Sequence, residues 1–488
     1  MSLRHIRGLV AVTAVALTGV LVGAAQNPPP QGGVVMKGRA PVSTDILKVT
    51  LPRPVEADLP NGLHVMVLED RRVPLVSFQL QMLGAGGYYD PADTPGLAQM
   101  TSAMMREGTT SRTTLQIAET LETKAATVNV GAGLSSIGAT ISGSSLTEHF
   151  AATFALAADI LLTPTFPEEE FDRYKTRTRA GLVQQRANPN FLANELFSRL
   201  MYGAHPAGRA SLTAAALDRT TRQAMVAFHQ TRFVPDHAVL AIAGDISMAE
   251  ARKVIDANLS GWTKTGTPAP AVADAAPPAP GQVHLVARPN SVQTTIWVGA
   301  PGIVRTAADY DVMTMMNAVI GGGPTGRLFT HLREEKGYTY GAGSNTAASQ
   351  YRGHWLASMD VRTEVTEPAL KDLMAEIARM RDEAVPAKEF EDKKRGLIAS
   401  FALSLESPAA VLGNHITRWL YKLPADYWDK YPDRIMAVTQ AQVQAAARAY
   451  LDPARLHIVT VGEPAKIAEV LKQFGTVTTY DTDGRIVR

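Results

Sequence analysis

An arginine and a tyrosine, Arg333 and Tyr340, lie seven positions apart in the second half of the sequence. Gly337 lies between them and predicts the C-terminal cap of a helix, so Tyr340 begins a strand close to the helix end that carries Arg333. A cationic donor and a phenol that point to one spot suit a substrate carbonyl group or a tetrahedral oxyanion. The alternative is a helix-end arginine paired with a neighbouring carboxylate and a tyrosine packed in the core.

A second segment places Gln99, Ser102 and Ala103 at positions i, i+3 and i+4, which share one face of a helix. These side chains supply neither an imidazole ligand nor a carboxylate base. The chain has 11 histidines, none in H-x-x-E-H or H-x-x-x-H spacing, and His205 is interpreted as structural. It has no cysteine, which excludes disulfides, thiolate metal sites and a cysteine nucleophile. We therefore expect no metal and no cofactor in this chain.

A glycine-rich turn is formed by Gly321, Gly322 and Gly323, and with Gly326 it matches a dinucleotide fingerprint. That fingerprint must follow a strand. Apolar residues before the turn recur with helical spacing instead, at Val312, Met315, Met316 and Val319. We therefore reject a dinucleotide site.

The composition is that of an ordinary globular protein, with 45% hydrophobic and 19% charged residues and a net charge of +2. This balance gives no electrostatic case for nucleic acid as a partner. Arg4 and Arg7 precede an apolar run from Leu9 to Val22, so residues 1–25 are predicted to be a signal peptide and 26–50 a linker. We expect a periplasmic protein without membrane contact after cleavage; an uncleaved anchor is the alternative.

Residues 263–282 are rich in proline and alanine and predict a semi-extended linker with few contacts. The linker divides the chain into residues 51–262 and 283–488, which look like repeats of one unit. Both contain an aromatic residue, a proline and, nine positions after the proline, a glycine, at Phe233, Pro235 and Gly244 and at Tyr450, Pro453 and Gly462. Strands at both ends of each part, with helices between them, predict an α+β fold. In this fold two homologous halves, each a mixed or antiparallel sheet with helices packed on one face, fold separately and enclose a central chamber.

The segment from Gly96 to Thr109 resembles the signature of the pitrilysin/insulysin (inverzincin) zinc peptidases, in which Gly-Leu-Ala leads into H-x-x-E-H, Met and Gly-Thr. The alignment places Gln99 and Ala103 at the positions of the zinc-binding histidines and Ser102 at that of the glutamate base. The family's third ligand is a glutamate on a helix before Asp/Asn-Pro. The corresponding stretch here, Thr176 to Asn188, contains no Asp, Glu or His. The resemblance therefore implies a zinc-less member with no catalytic residues of its own.

The second half is similar to the family's second signature, a glycine-rich turn followed by Arg-Leu, a Leu-Arg-Glu helix and Gly-x-x-Tyr. The resemblance gives Arg333 and Tyr340 the role of the substrate-binding pair. It implies a non-catalytic subunit, like the alpha partner of the processing peptidases, in a heterodimer with a homologous subunit that carries H-x-x-E-H and zinc and cuts peptides. The alternatives are an inactive scaffold, as in the peptidase-like core subunits of the cytochrome bc1 complex, a peptide-binding protein, and a free-standing peptidase, which the replaced zinc positions disfavour.

Overall fold

The computed structural model describes residues 47–266 and 270–487. The predicted signal peptide and nearly all of the predicted N-terminal linker lie outside the described residues. Among the described residues, no single helix is long and apolar enough to cross a membrane; one pair of helices reaches that length and hydropathy only when joined across a bend of 109°.

The first of two sheets has six strands in the order β1-β2-β6-β3-β5-β4. They are β1 Val55–Asp58, β2 His64–Glu69, β3 Leu75–Leu83, β4 Thr127–Ala132, β5 Gly138–Leu146 and β6 Ala238–Gly244. β2 runs parallel to β6, and the other neighbours are antiparallel. The central strand β6 is buried along its whole length, which indicates that both faces of this sheet are covered.

The second sheet repeats this arrangement, with the order β12-β7-β11-β8-β10-β9. Its strands are β7 Val283–Ala287, β8 Gln293–Pro301, β9 Thr339–Ala347, β10 His354–Arg362, β11 His457–Gly462 and β12 Val477–Tyr480. Five strands match the first sheet position by position; the outermost differs, because β12 is parallel to β7 whereas β1 is antiparallel to β2. The predicted α+β fold with two homologous halves is therefore confirmed.

The helices follow the same repeat along the chain. The first half contains α1 Leu97–Met104, α2 Thr114–Thr123, α3 Phe150–Leu162, α4 Glu168–Gln185, α5 Pro189–Tyr202, α6 Ala214–Arg219, α7 Arg222–Arg232 and α8 Met248–Leu259. The second half contains α9 Tyr310–Ile320, α10 Arg327–Phe329 (continued by a π-helical turn, Thr330–Glu335), α11 Thr366–Asp382, α12 Ala387–Ser404, α13 Pro408–Leu420, α14 Tyr431–Ala437, α15 Gln440–Tyr450 and α16 Pro464–Leu471. Matching caps accompany matching helices: the threonine hydroxyls of Thr221 and Thr439 accept backbone N–H groups at the starts of α7 and α15.

Alternate residues of each strand face different cores. In β6, Leu240 and Ile242 join the core formed with α1, α3, α7 and α8 of the same half, whereas Val239 and Ala241 point to the opposite face. That opposite face is covered by α13, a helix of the second half, whose Leu412 belongs to the same apolar cluster. The period of two in a strand thus divides each sheet between two cores.

The second sheet is covered in the same reciprocal way. Leu196 and Phe197 of α5, a helix of the first half, pack on Val459 and Val461 of β11. The two halves therefore exchange helices, and neither covers both faces of its sheet alone. Whether each half folds on its own stays a prediction, and the exchange favours the opposite outcome, because each sheet has one face covered by a helix of the other half. The sequence did not indicate this exchange, since the apolar stripe of a helix does not reveal which sheet it will cover.

The described part of segment 263–282 has no helix or strand but is held by side chains of both halves. The Tyr88 hydroxyl accepts the N–H of Ala273 at 2.9 Å, and His205 Nε2 lies 3.1 Å from the Ala273 carbonyl oxygen. From the second half, Arg352 donates its backbone N–H to the Asp274 carboxylate at 2.7 Å. The prediction of a linker with few contacts is therefore wrong. The extended, proline-rich segment leaves its peptide groups free, and side chains of both halves form hydrogen bonds with it.

A cavity of about 600 Å³ lies between the halves. The β4–β5 loop and α5 line it from one side, and the end of β9 with the loop that follows lines it from the other. Neither Arg333 nor Tyr340 lines this cavity.

Candidate functional site

Helix α1, which carries the positions aligned with a zinc motif, is fixed at its start by a buried aspartate. Asp90 is 5% exposed, and its carboxylate oxygens accept the N–H groups of Gly96 at 2.6 Å and Ala98 at 2.8 Å. Burial raises the pKa of Asp90 to about 6, against the opposing effect of these bonds. Gly96 has φ +97°, and a Cβ there would lie 2.1 Å from Leu212 Cδ1, so the helix start requires glycine.

Gln99, Ser102 and Ala103 share one face of α1 but do not form a metal site. Ser102 is 0% exposed, and its Oγ, like Gln99 Oε1, is buried without a hydrogen-bond partner in the described part of the chain. A hydroxyl, an amide and a methyl group do not fit zinc, which takes thiolate, imidazole and carboxylate ligands. Within residues 47–266 and 270–487, no group of three or more His, Cys, Asp or Glu side chains is arranged to hold a metal ion.

The stretch aligned with the third zinc ligand brings positive charge. Thr176 to Asn188 forms most of α4 and the turn that follows, and its charged residues are Arg177, Arg179 and Arg186. Asn188, at its end, caps α5 by accepting the N–H of Asn190 at 2.9 Å. This stretch therefore serves the fold, and no carboxylate in it faces the α1 positions.

The structure brings Arg333 and Tyr340 together. The guanidinium carbon of Arg333 lies 5.0 Å from the centre of the Tyr340 ring and 4.7 Å from that of Phe329. Arg333 belongs to the π-helical turn, which ends at Glu335, and Gly337, two residues further on, has φ +64°. Gly337 donates its N–H to the Arg333 carbonyl oxygen at 3.1 Å. The glycine cap is as predicted, and the wide π-turn, a geometry often found at functional sites, is an addition.

Neither member of the pair belongs to the core. Tyr340 is 90% exposed, so the interpretation as a packed core tyrosine is wrong. Arg333 is partly exposed and lies 3.6 Å from a carboxylate oxygen of its sequence neighbour Glu334. An exposed ion pair of this kind contributes little to stability. The arginine and tyrosine are therefore held at the surface by their own local structure.

A β-bulge aims Tyr340 away from the sheet. Tyr340 and Gly341 of β9 both lie opposite Asp360 of β10, because the pairing shifts between Thr339 opposite Val361 and Ala342 opposite Met359. The Thr339 hydroxyl pins the bulge: it lies 2.7 Å from the Asp360 carbonyl oxygen and accepts the Gly341 N–H at 3.1 Å. Bulges of this kind redirect side chains near sites.

Thr339 was missed from the sequence, although Gly341 gave a signal for it. A glycine just after the start of a predicted strand indicates a bulge or a close approach.

The glycine-rich turn packs against β9. A Cβ at Gly321 would lie 2.3 Å from the Ser344 Oγ, and the N–H of Ser344 donates to the Gly321 carbonyl oxygen at 3.0 Å. Gly323 has φ +79°. A helix, α9, precedes the turn, as predicted, so the turn connects α9 to α10 beside the strand that carries Tyr340.

Two family models match the chain. Residues 65–214 match the model described as Insulinase (Peptidase family M16), and residues 219–397 match the model described as Peptidase M16 inactive domain. The solved structure of a peptidase M16 inactive domain from Pseudomonas fluorescens is 29% identical, with a TM-score of 0.75 over 84% of this chain and 98% of that chain.

Curated relatives carry both peptidase and non-peptidase names. The Bacillus subtilis protein "Uncharacterized zinc protease YmxG" is 22% identical over 80% of this chain and 93% of its own length. The Helicobacter pylori protein "Non-peptidase homolog YmxG" is 20% identical over 80% of this chain and 89% of its own length. With both family models matched in chain order and zinc positions replaced, the chain belongs to peptidase family M16 as a member of the inactive type.

Proposed function

We propose that this chain is the non-catalytic subunit of a zinc peptidase and supplies Arg333 and Tyr340 to an active site on a homologous partner. The observation that carries the proposal is the contrast between an exposed, bulge-held Tyr340 beside Arg333 and an α1 face without metal ligands. The partner would carry H-x-x-E-H, bind the zinc and perform hydrolysis.

The chemistry of the pair fits substrate binding. A guanidinium and a phenol hydroxyl are both hydrogen-bond donors, and together they suit the carbonyl oxygen of a peptide that lies across the interface between the subunits. The π-turn and the bulge fix the positions of the two side chains before substrate arrives, which reduces the entropy lost on binding. Peptide degradation or processing is the reaction class this supports.

The test compares two preparations, the isolated chain and the chain co-purified with its partner from the native organism. Zinc content and peptide hydrolysis are measured for both. Alone, the chain should retain no stoichiometric zinc after dialysis and hydrolyse no peptide. The co-purified pair should contain about one zinc ion and hydrolyse peptides. About one zinc ion per isolated chain, or peptidase activity without a partner, would contradict the proposal.

We also propose that the complex lies in the periplasm. This proposal rests on the apolar N-terminal segment of the sequence, and the mature N-terminus of protein taken from the periplasmic fraction tests it. A start near residue 26 is expected; an intact Met1 on a membrane-bound chain would contradict it.

A second candidate is an inactive member that binds peptides without a catalytic partner. The observation in its favour is the cavity of about 600 Å³ between the halves, which is lined by polar side chains such as Asn194, Ser198 and Thr346. Purification without any zinc-bearing partner would favour this candidate.

A further inference from the structure

The cavity of about 600 Å³ between the halves has one arginine among the described residues that line it. This is Arg209, which directly follows the 3-10 turn Pro206–Gly208. Its Nη1 donates to the carbonyl oxygen of Gly87 at 2.8 Å and lies 3.4 Å from that of Asp90. These contacts fix the guanidinium, while its Nε and Nη2 form no hydrogen bond with the rest of the described chain. Arg209 therefore keeps oriented donors for a ligand.

The positive charge of Arg209 has no carboxylate partner in the cavity wall. No Asp or Glu is among the described residues that line the cavity. Burial raises the pKa of Asp90 to about 6, and Arg209 is among the groups that oppose the rise, so the two charges interact. Both oxygens of the Asp90 carboxylate, however, accept N–H groups at the start of α1. Glu195 of α5 pairs with Arg186 instead. The electrostatics of the cavity thus favour an anion.

His354 supplies a second donor to the cavity, and this one is neutral. Burial lowers the pKa of His354 to about 4, so the ring carries no charge at pH 7. Its Nδ1 lies 2.7 Å from the hydroxyl of Tyr202, whose pKa burial raises well above the ordinary value. With this phenol as the donor to Nδ1, the single ring proton is on Nε2. Both side chains line the cavity, and His354 Nε2 has no hydrogen-bond partner among the described residues.

The remaining polar lining consists of amide and hydroxyl groups from both halves. Asn194 and Ser198 lie one turn apart on α5, and Thr346 and Ser349 come from the end of β9 and the loop after it. Such groups both donate and accept hydrogen bonds, as peptide units require. The volume lies within the range of about 300–1,000 Å³ that is typical of small-molecule sites.

We propose that this cavity binds a small organic carboxylate, about the size of a dipeptide or tripeptide, with the carboxylate on Arg209. A charge-assisted bond to a guanidinium is the strong contact of this set, and the amide and hydroxyl groups bind the rest of the ligand. The terminal carboxylate of a short peptide and a free aliphatic acid share this chemistry. The site does not rest on Arg333, Tyr340 or a partner subunit, so its test uses the isolated full chain and leaves the role of that pair untouched.

The experiment is isothermal titration calorimetry, with thermal unfolding beside it, of the chain with N-acetyl-trialanine, its C-terminal amide, and hexanoate. The acetyl group removes the ammonium charge, so the two peptides differ only at the carboxylate. N-acetyl-trialanine should bind about 10-fold or more tightly than the amide and raise the melting temperature. Weaker binding of hexanoate assigns the site to peptides, and comparable binding assigns it to carboxylates in general. Equal affinities of the two peptides, or no binding of either acid, would overturn the proposal.

A variant of the arginine locates the site. Arg209→Gln should reduce the preference for N-acetyl-trialanine over its amide to within about 2-fold. Arg219→Gln is the matched control, because Arg219 also donates to a backbone carbonyl oxygen, that of Asp93 at 2.9 Å, but does not line the cavity. A preference that survives Arg209→Gln, or is lost in Arg219→Gln, contradicts the site.

A second variant leaves Arg209 and its contacts in place. The Ser198 side chain forms no hydrogen bond with the described residues, and leucine is favoured in helices, so Ser198→Leu fills the cavity without breaking a described bond. The variant should fold and lose the binding of N-acetyl-trialanine. Undiminished binding to the folded Ser198→Leu protein would show that the ligand lies elsewhere and would overturn the proposal.

Discussion

The two halves share one order of strands and helices, yet they present different chemistry. In the first half, the polar groups of α1 are half-buried or buried, and the aligned metal positions hold an amide, a hydroxyl and a methyl group. In the second half, Arg333 and Tyr340 stand at the surface on a π-turn and a bulge. This difference shows that the apolar cores maintain the same fold in both halves, whereas the polar residues at the corresponding sites can differ without changing that fold.

The largest expected effect on stability comes from disrupting the helix exchange, in which each half covers one face of the other half's sheet. Phe197 of α5 is fully buried against Gly299 and beside Trp297 of β8 in the other half. Phe197→Ala should cost about 3–5 kcal/mol of the free energy of unfolding. Thermal unfolding should remain a single transition, because both halves depend on exchanged helices.

The control is Leu115→Ala, an exposed position on α2, which should change stability little. Two separate transitions, with only one displaced by Phe197→Ala, would show that the halves fold independently and would break the comparison.

Burial lowers the pKa values of two neighbouring histidines in the second half. In the second half, His284 Nε2 lies 3.1 Å from His457 Nδ1, and its Nδ1 lies 3.2 Å from the Tyr480 hydroxyl. His457 Nε2 continues the chain to the carbonyl oxygen of Ala279, at 3.2 Å. Burial lowers the pKa of His284 to about 4, with the neighbouring His457 acting in the same direction. Neutral rings satisfy every bond of this chain, and a proton added to His284 Nδ1 would remove the acceptor of the Tyr480 hydroxyl.

The His284 contribution should weaken the fold in acid. Its folded pKa of about 4 lies below the ordinary value of 6.5, so the unfolded chain binds more protons and stability falls as the pH drops from about 6.5 to 4. The loss from this group approaches about 3 kcal/mol. Asp90, with a raised pKa, acts oppositely between pH 4 and 6.

The difference between the wild-type protein and His284→Phe isolates the histidine, because Asp90 is common to both. Denaturant unfolding at pH 7, 6, 5 and 4 should show a shallower acid loss in the variant. Parallel profiles for the two proteins would contradict the assignment.

The repeat and the second-half motif could be predicted from the sequence. The long-range contacts that hold the two halves together could not. The spacing of Pro235 and Gly244 recurs at Pro453 and Gly462. It depends only on residues that are close together in the chain, so a short stretch of sequence is enough to predict the strand and its turn. The partner of α5 is set by contacts far along the chain, and leucine and phenylalanine at helical spacing fit either sheet. The hydrogen bond between Ala273 and Tyr88 likewise could not be predicted, because the proline and alanine content of the segment indicates only an extended linker.

A smaller effect is expected at the bulge that holds Tyr340. Thr339→Val keeps the shape of the side chain but removes the hydroxyl that pins Gly341 and Asp360. Each lost hydrogen bond is worth about 0.5–1.5 kcal/mol, so peptidase activity of the complex should fall by about 5–10-fold. Thr346→Val on the same strand is the control, since its Oγ has no partner among the described residues and its loss should be neutral. Equal activities of the two variants would show that the bulge does not position the tyrosine.

Peptidase activity of the reconstituted pair with Tyr340→Phe tests the central claim most directly. The substitution removes one exposed hydroxyl, so melting temperature and partner binding should stay unchanged. Turnover should fall on the order of 10²-fold, the scale for loss of one oxyanion donor. Tyr338→Phe, two residues earlier, is the matched control and should keep full turnover. Unchanged turnover in Tyr340→Phe would contradict the account and leave this chain as a scaffold or a peptide-binding protein.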